Sequence, residues 1–144
     1  DERQLSALDP GVSTAAFTGA NSIPAAGSRS ARHFVVAGNL LASERVLDAC
    51  LEGYKSADGT LDEKLLKALD AAAHAGGDAR GLLSAALLVV GRDRPPLSLR
   101  VDYSETPLDA LAELHGRATS GDYARWVRHV PTLQDPERAA PFPS

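Results

Sequence analysis

Three short segments carry residue types that can do chemistry. Gly76-Gly77-Asp78-Ala79-Arg80-Gly81 puts an acid and a base two positions apart on a glycine-rich connection. Ala37-Gly38-Asn39-Leu40 puts a carboxamide directly after an apolar run. Leu99-Arg100-Val101-Asp102 alternates charged and apolar residues, so Arg100 and Asp102 share one face of an extended strand. Asn39 can donate to an oxyanion or fix a substrate carbonyl; its simpler role is that of a turn residue bonded to its own backbone. Asp78 and Arg80 can bind a polar substrate, and the simpler reading is a local ion pair that pins the turn. Arg100 and Asp102 read as a buried structural pair, and Thr18 as a strand-end hydroxyl that can line the same cleft.

Other constellations are weaker. His33, His74, His115 and His129 lack the helical pairing or Cys/His clustering of a zinc site, so no metal is expected. His74, Asp78 and Ser84 can be drawn as a triad, but closeness in sequence is no sign of triad geometry. The glycine-rich segment lacks the Gly-Lys-Ser/Thr ending of a phosphate loop. No cofactor is expected.

These residues need elements to hold them. Arg3–Leu8 and Thr14–Thr18 read as strands joined at the turn Asp9-Pro10-Gly11, Asn21–Arg32 as a loop and His33–Ala37 as a third strand. Ser43 can cap a helix whose face is Val46, Leu47, Cys50, Leu51 and Tyr54. Thr60-Leu61-Asp62-Glu63 reads as a capping box before a second stripe of Leu61, Leu65, Leu66 and Leu69, stopped by Gly76-Gly77. Leu83–Val90 and Leu97–Tyr103 read as strands. Pro107 opens a further helix with Leu108, Leu111 and Leu114 on its inner face. Ser120–Val130 is a short last helix, on which Tyr123 and Trp126 are expected to staple it to the body. The tail, residues 132–144, is expected to be extended. Cys50, on an apolar helix face, is expected in the core. The pattern supports an α+β fold with helices over an antiparallel sheet.

Composition narrows the function classes. With 144 residues, 44% hydrophobic and 24% charged, the chain suits a globular domain. The net charge of −4 and the lack of an aromatic-interleaved basic stripe argue against nucleic acid. The longest apolar run, Ala85–Val90, is too short to span a bilayer, so no membrane is expected. The single cysteine rules out an internal disulfide, and no signal-peptide core opens the sequence. A cytoplasmic location is the expectation.

In this order, with Arg3-Gln4-Leu5 and Phe17-Thr18-Gly19 ahead of them, these motifs resemble the family DUF1028, grouped with the N-terminal-nucleophile (Ntn) hydrolases. The resemblance covers roughly residues 1–114. It implies an Ntn-like αββα sandwich of which this chain supplies the C-terminal part, with residues 1–117 in that domain and 118–144 as a helix and tail. It also implies strands and a nucleophile upstream of the Arg3-Gln4-Leu5 strand. An Ntn hydrolase attacks with the side chain of its first residue and uses that residue's α-amino group as base. Asp1 does not suit that role, and neither Gly59-Thr60 nor Gly27-Ser28 is well placed for an internal cleavage that would expose one.

The function that follows is part of an amidohydrolase cleaving a small amide, imide or lactam C–N bond. Asn39 and Asp78 would be catalytic, and Arg80, Thr18, Arg100 and Asp102 would bind substrate. Its partners would be the upstream segment, further copies of the chain and a small-molecule substrate. The alternative is a non-catalytic binding or assembly module that keeps the fold.

Overall fold

The structure, a computed structural model, describes residues 1–11 and 13–139. Among the described residues it is mixed α/β, with small antiparallel sheets and four helices, and the chain divides into two compact units, Asp1–Leu82 and Leu83–Ser144. Residues 117 and 118, where the sequence reading divides the chain, both lie inside a helix of the second unit.

The first unit opens with β1 (Gln4–Leu8) and β2 (Thr14–Thr18), an antiparallel hairpin in which Gln4 faces Thr18 and Leu5 faces Phe17. Asp9 closes its turn: its N–H donates to the Ser13 carbonyl at 3.0 Å and its Oδ1 accepts the Ser13 N–H at 3.2 Å. A second hairpin pairs β3 (Gly27–Ala31) with β4 (Phe34–Gly38). β3 lies within the segment expected to be a loop. Its Gly-Ser-Arg-Ser-Ala sequence has little strand propensity. Pairing with the apolar β4 and packing against the following helix supply what propensity does not.

That helix is α1 (Arg45–Ser56). Its N-cap is Glu44 rather than Ser43, with no side-chain cap bond; Ser43 contributes only its carbonyl, which accepts the Val46 N–H at 3.2 Å. The inner face is as expected: Val46, Leu47 and Cys50 are buried. Burial pushes the Cys50 thiol pKa up, which keeps it an unreactive core group. Arg29 on β3 ties the hairpin to this helix, donating from Nε to Asp48 Oδ1 at 2.6 Å and lying 3.5 Å from Glu44 Oε2.

α2 (Leu61–His74) begins with the expected capping box, the Glu63 carboxylate accepting the Thr60 N–H at 2.7 Å. The two helices do not lie side by side on the sheet. α1 rests on β3 and β4, and α2 packs on α1. α2 joins the core through Ala68, with Leu65 and Ala72 against it, around Phe34 and Cys50. Phe34 stacks on Tyr54 with ring centroids 4.3 Å apart. Close helix approach depends on Gly53, where a Cβ would stand 2.7 Å from the Ala71 Cβ and 3.0 Å from the Lys67 carbonyl oxygen.

The second unit pairs β5 (Ala85–Val89) with β6 (Leu97–Val101), covered by α3 (Pro107–Thr119), with α4 (Gly121–Val127) against α3. Leu87, Val89 and Leu111 are buried. Leu114 is less covered, 37% exposed, because its position on α3 falls at the edge of the inner face. Tyr123 and Trp126 do not staple α4 down. Both are more than half exposed and pack on each other, centroids 5.7 Å apart. The tail up to residue 139 folds into turns rather than extending: Gln134 N–H donates to the Arg92 carbonyl at 2.9 Å, and Arg138 Nε to the Val130 carbonyl at 2.9 Å. Residues 140–144, the rest of the segment expected to be extended, lie outside the described residues.

Candidate functional site

The first unit gathers its polar groups around a side chain the sequence did not single out. Gln4, at the start of β1, turns Nε2 toward three acceptors, the Gly38 carbonyl at 2.9 Å, Thr18 Oγ1 at 3.1 Å and the Gly27 carbonyl at 3.3 Å, which share its two hydrogens. Gly27 and Gly38 are paired residues at one end of the second hairpin, so a single carboxamide stitches the two hairpins together. Its oxygen, Oε1, accepts from Asn39 Nδ2 at 2.8 Å. Thr18, Gln4 and Asn39 thus form one hydrogen-bonded cluster. Gln4 belongs to the Arg3-Gln4-Leu5 motif that shares in the family resemblance. Nothing in a lone glutamine at the head of a strand marks it as a hub.

Asn39 leaves β4 through a backbone held on both sides. Leu40 sits in the left-handed region at φ 53°, uncommon for a branched side chain. Its N–H donates to the Ile23 carbonyl at 3.2 Å, and its carbonyl accepts the Ala79 N–H at 2.8 Å. Leu41 N–H reaches the Ala25 carbonyl at 3.1 Å and Ala42 N–H the Gly77 carbonyl at 2.9 Å. Leu41 and Asp78 pair as an isolated antiparallel bridge. The segment after Asn39 therefore lies between Ile23–Ala25 and Gly77–Ala79, and the surrounding bonds hold the unusual Leu40 conformation.

The same pairing anchors the Asp78–Arg80 turn. Gly76 and Gly77, at φ 118° and 55°, end α2 and turn the chain back. Asp78 then folds onto Arg80: Oδ1 accepts the Arg80 N–H at 2.8 Å and Nε at 3.0 Å, and Oδ2 accepts from an Nη at 2.7 Å. The Arg80 side chain, then its N–H, hold the Asp78 carboxyl down at about 2. At neutral pH Asp78 is therefore an anion paired with Arg80. The charges are matched within the turn, and the exposed Arg80 guanidinium is the part open to an anionic group. The His74 ring nitrogen Nδ1 lies 2.9 Å from the Asp70 carbonyl oxygen and 3.3 Å from its Oδ1, and Asp78 is taken by Arg80; the triad drawn from His74, Asp78 and Ser84 is not formed.

Arg100 and Asp102 belong to the second unit. They do share a face and do pair, with Arg100 Nε donating to Asp102 Oδ1. They are not buried: both side chains are about three-quarters exposed, at 75% and 74%. A two-stranded sheet with one helix over it covers only one face, and the alternation puts this pair on the other.

Among the described residues no group of three or more His, Cys, Asp or Glu side chains could hold a metal ion. No described helix is long and apolar enough to cross a membrane. The outer part of the β1–β2 hairpin is unusual in another way. Leu5 and Phe17, facing each other across the strands, are 68% and 52% exposed, and with Ala7 and Ala15 they line an open groove of about 360 Å³.

Comparisons place the chain among known proteins. The model of a family of unknown function, DUF1028, matches residues 1–111. No curated protein matches. The crystal structure of a DUF1028 protein from Silicibacter pomeroyi is similar at 44% identity and a TM-score of 0.90, covering 98% of this chain and 61% of that one. The chain thus spans about 61% of the length of that relative.

Proposed function

The chain belongs to the DUF1028 family, and from that membership we propose that it is part of an Ntn-type amidohydrolase with an αββα sandwich, cleaving a small amide, imide or lactam. The nucleophile is placed in the part of the protein outside this sequence. The S. pomeroyi relative is long enough to contain such a part.

The observation that supports the reading best is the Asn39 carboxamide. It is exposed, its orientation is fixed by Gln4, and the Asp78–Arg80 turn is tethered to the same short segment. A fixed N–H costs no reorganisation when charge develops on a carbonyl oxygen. Attack by the first residue's hydroxyl or thiol forms a bond to the carbonyl carbon while its α-amino group takes the proton. The C–N bond then breaks, the departing nitrogen takes that proton, and water releases the acid from the acyl-enzyme. Asn39 is assigned the carbonyl, Thr18 the support of Gln4, and Arg80 a carboxylate on the substrate. Arg100 and Asp102 keep a substrate-binding assignment only if the complete protein brings them to the site.

One observation favours the alternative, a non-catalytic assembly module: the exposed apolar β1–β2 face suits protein contact. N-terminal sequencing of the mature full-length protein separates the two. A free Thr, Ser or Cys at its first position, opening a strand, is the expected result; a blocked or different first residue contradicts the enzyme reading.

A further inference from the structure

Hydrogen bonding fixes more about Asn39 than its position. A glutamine amide has two N–H donors on one end and an acceptor on the other, and its surroundings decide which way it faces. Gln4 Nε2 lies against the carbonyls of Gly27 and Gly38 as well as the Thr18 hydroxyl. Reversing the amide would set its oxygen against two carbonyl oxygens and leave no donor for either. Gln4 Oε1 must therefore point at Asn39, and only the nitrogen end of Asn39 can answer an acceptor. The polarity of one backbone pair is relayed through Gln4 to the exposed side chain of Asn39.

We infer that Gln4 is a positioning residue that locks the Asn39 carboxamide with its nitrogen turned inward, so that a ligand meets Oδ1 as an acceptor beside one remaining N–H, and that the amide or imide bound there carries a hydrogen on its nitrogen. Among the described residues Asn39 makes no other hydrogen bond, so both groups are available. A ligand carbonyl takes the N–H and a ligand N–H takes Oδ1. An N-alkylated amide keeps the first bond and loses the second, leaving Oδ1 facing carbon. The ligand part of this inference rests on the amidohydrolase reading; the lock does not.

Two measurements on the full-length protein test it. The first compares Asn39→Asp with Gln4→Met/Asn39→Asp, following the introduced carboxyl by NMR titration. A carboxylate facing the fixed Gln4 oxygen is disfavoured, so with Gln4 present the group should titrate higher by about one pH unit or more. Equal values in the two variants overturn the lock. NOEs from the Asn39 Nδ2 protons to the Gln4 side chain in the unaltered protein are the check that needs no variant, and their absence also overturns it. The second measurement titrates succinimide and N-methylsuccinimide and follows the Asn39 side-chain amide resonances. Succinimide should bind about 10-fold more tightly, the worth of one good hydrogen bond, and Gln4→Met should abolish that preference. Equal binding of the two, or no binding of either, overturns the ligand assignment. Succinimide bound in this way but never hydrolysed counts against the amidohydrolase reading and leaves the lock standing.

Discussion

Leu41 and Asp78 pair as a single antiparallel bridge, and this pairing carries the Gly-Gly-Asp-Ala-Arg turn to the segment that follows Asn39. Two segments separated by both helices of the first unit thus share one backbone anchor.

The Asp78 carboxyl is held at about 2 by Arg80, below the roughly 3.9 of a free aspartate. Its pKa is lower in the folded than in the unfolded chain. The stability it contributes is therefore complete above about pH 4 and is lost as the pH falls toward 2. Arg80→Ala removes the side-chain bonds and keeps the N–H at position 80, so it should raise the Asp78 titration, followed by NMR, most of the way toward the ordinary carboxylate range and weaken the pH dependence of stability in that window. An unshifted titration in the variant would show that Arg80 is not the cause.

The turn depends on its glycines. Gly77→Ala places a side chain at φ 55° and should cost about 1–2 kcal/mol in denaturant unfolding. Gly76→Ala should cost more, because its Cβ would also stand 2.7 Å from the Ala42 Cβ. Similar small losses at both positions would mean that the turn is not held as described.

Among the described residues the largest fully buried side chains are Leu47 in the first unit, 1% exposed, and Leu111 in the second, 0%. Truncation of either to alanine should cost about 2–5 kcal/mol. Calorimetry is the suitable measurement, since two compact units can unfold in separate steps. A loss below about 1 kcal/mol for either variant would contradict the packing.

The assembly-module reading requires the exposed apolar face of the β1–β2 hairpin to be covered by protein. Leu5→Lys and Phe17→Lys, substitutions that are nearly neutral at an exposed site, should then destabilise the full-length protein by about 1.5 kcal/mol or more. Changes within about 0.5 kcal/mol would leave the face open to solvent.

Much of the frame was legible in the sequence where the signal is local. The capping box at Thr60 and Glu63, the stop at Gly76-Gly77 and the Pro107 start are written in neighbouring residues, as is the Asp78–Arg80 ion pair. What was not legible depends on distant partners. The strand at Gly27–Ala31 exists because Phe34–Gly38 lies beside it. Gln4 becomes a hub only when folding brings Gly27, Gly38 and Asn39 around it. The exposure of Arg100 and Asp102 follows from the small size of the β5–β6 sheet, which alternation in sequence does not reveal. Trp126 has the composition of a core residue, but it follows Ser120 on a helix too short to bury it.

The most direct test of the central claim is hydrolysis by the full-length protein of a panel of small amides, imides and lactams, repeated with Asn39→Ala, Asp78→Asn and Arg80→Ala. We expect kcat/KM to fall by roughly 10²-fold or more in at least Asn39→Ala, with the melting temperature nearly unchanged. No hydrolysis of any panel member, or losses of activity that follow losses of stability in every variant, would contradict the claim and favour the assembly module.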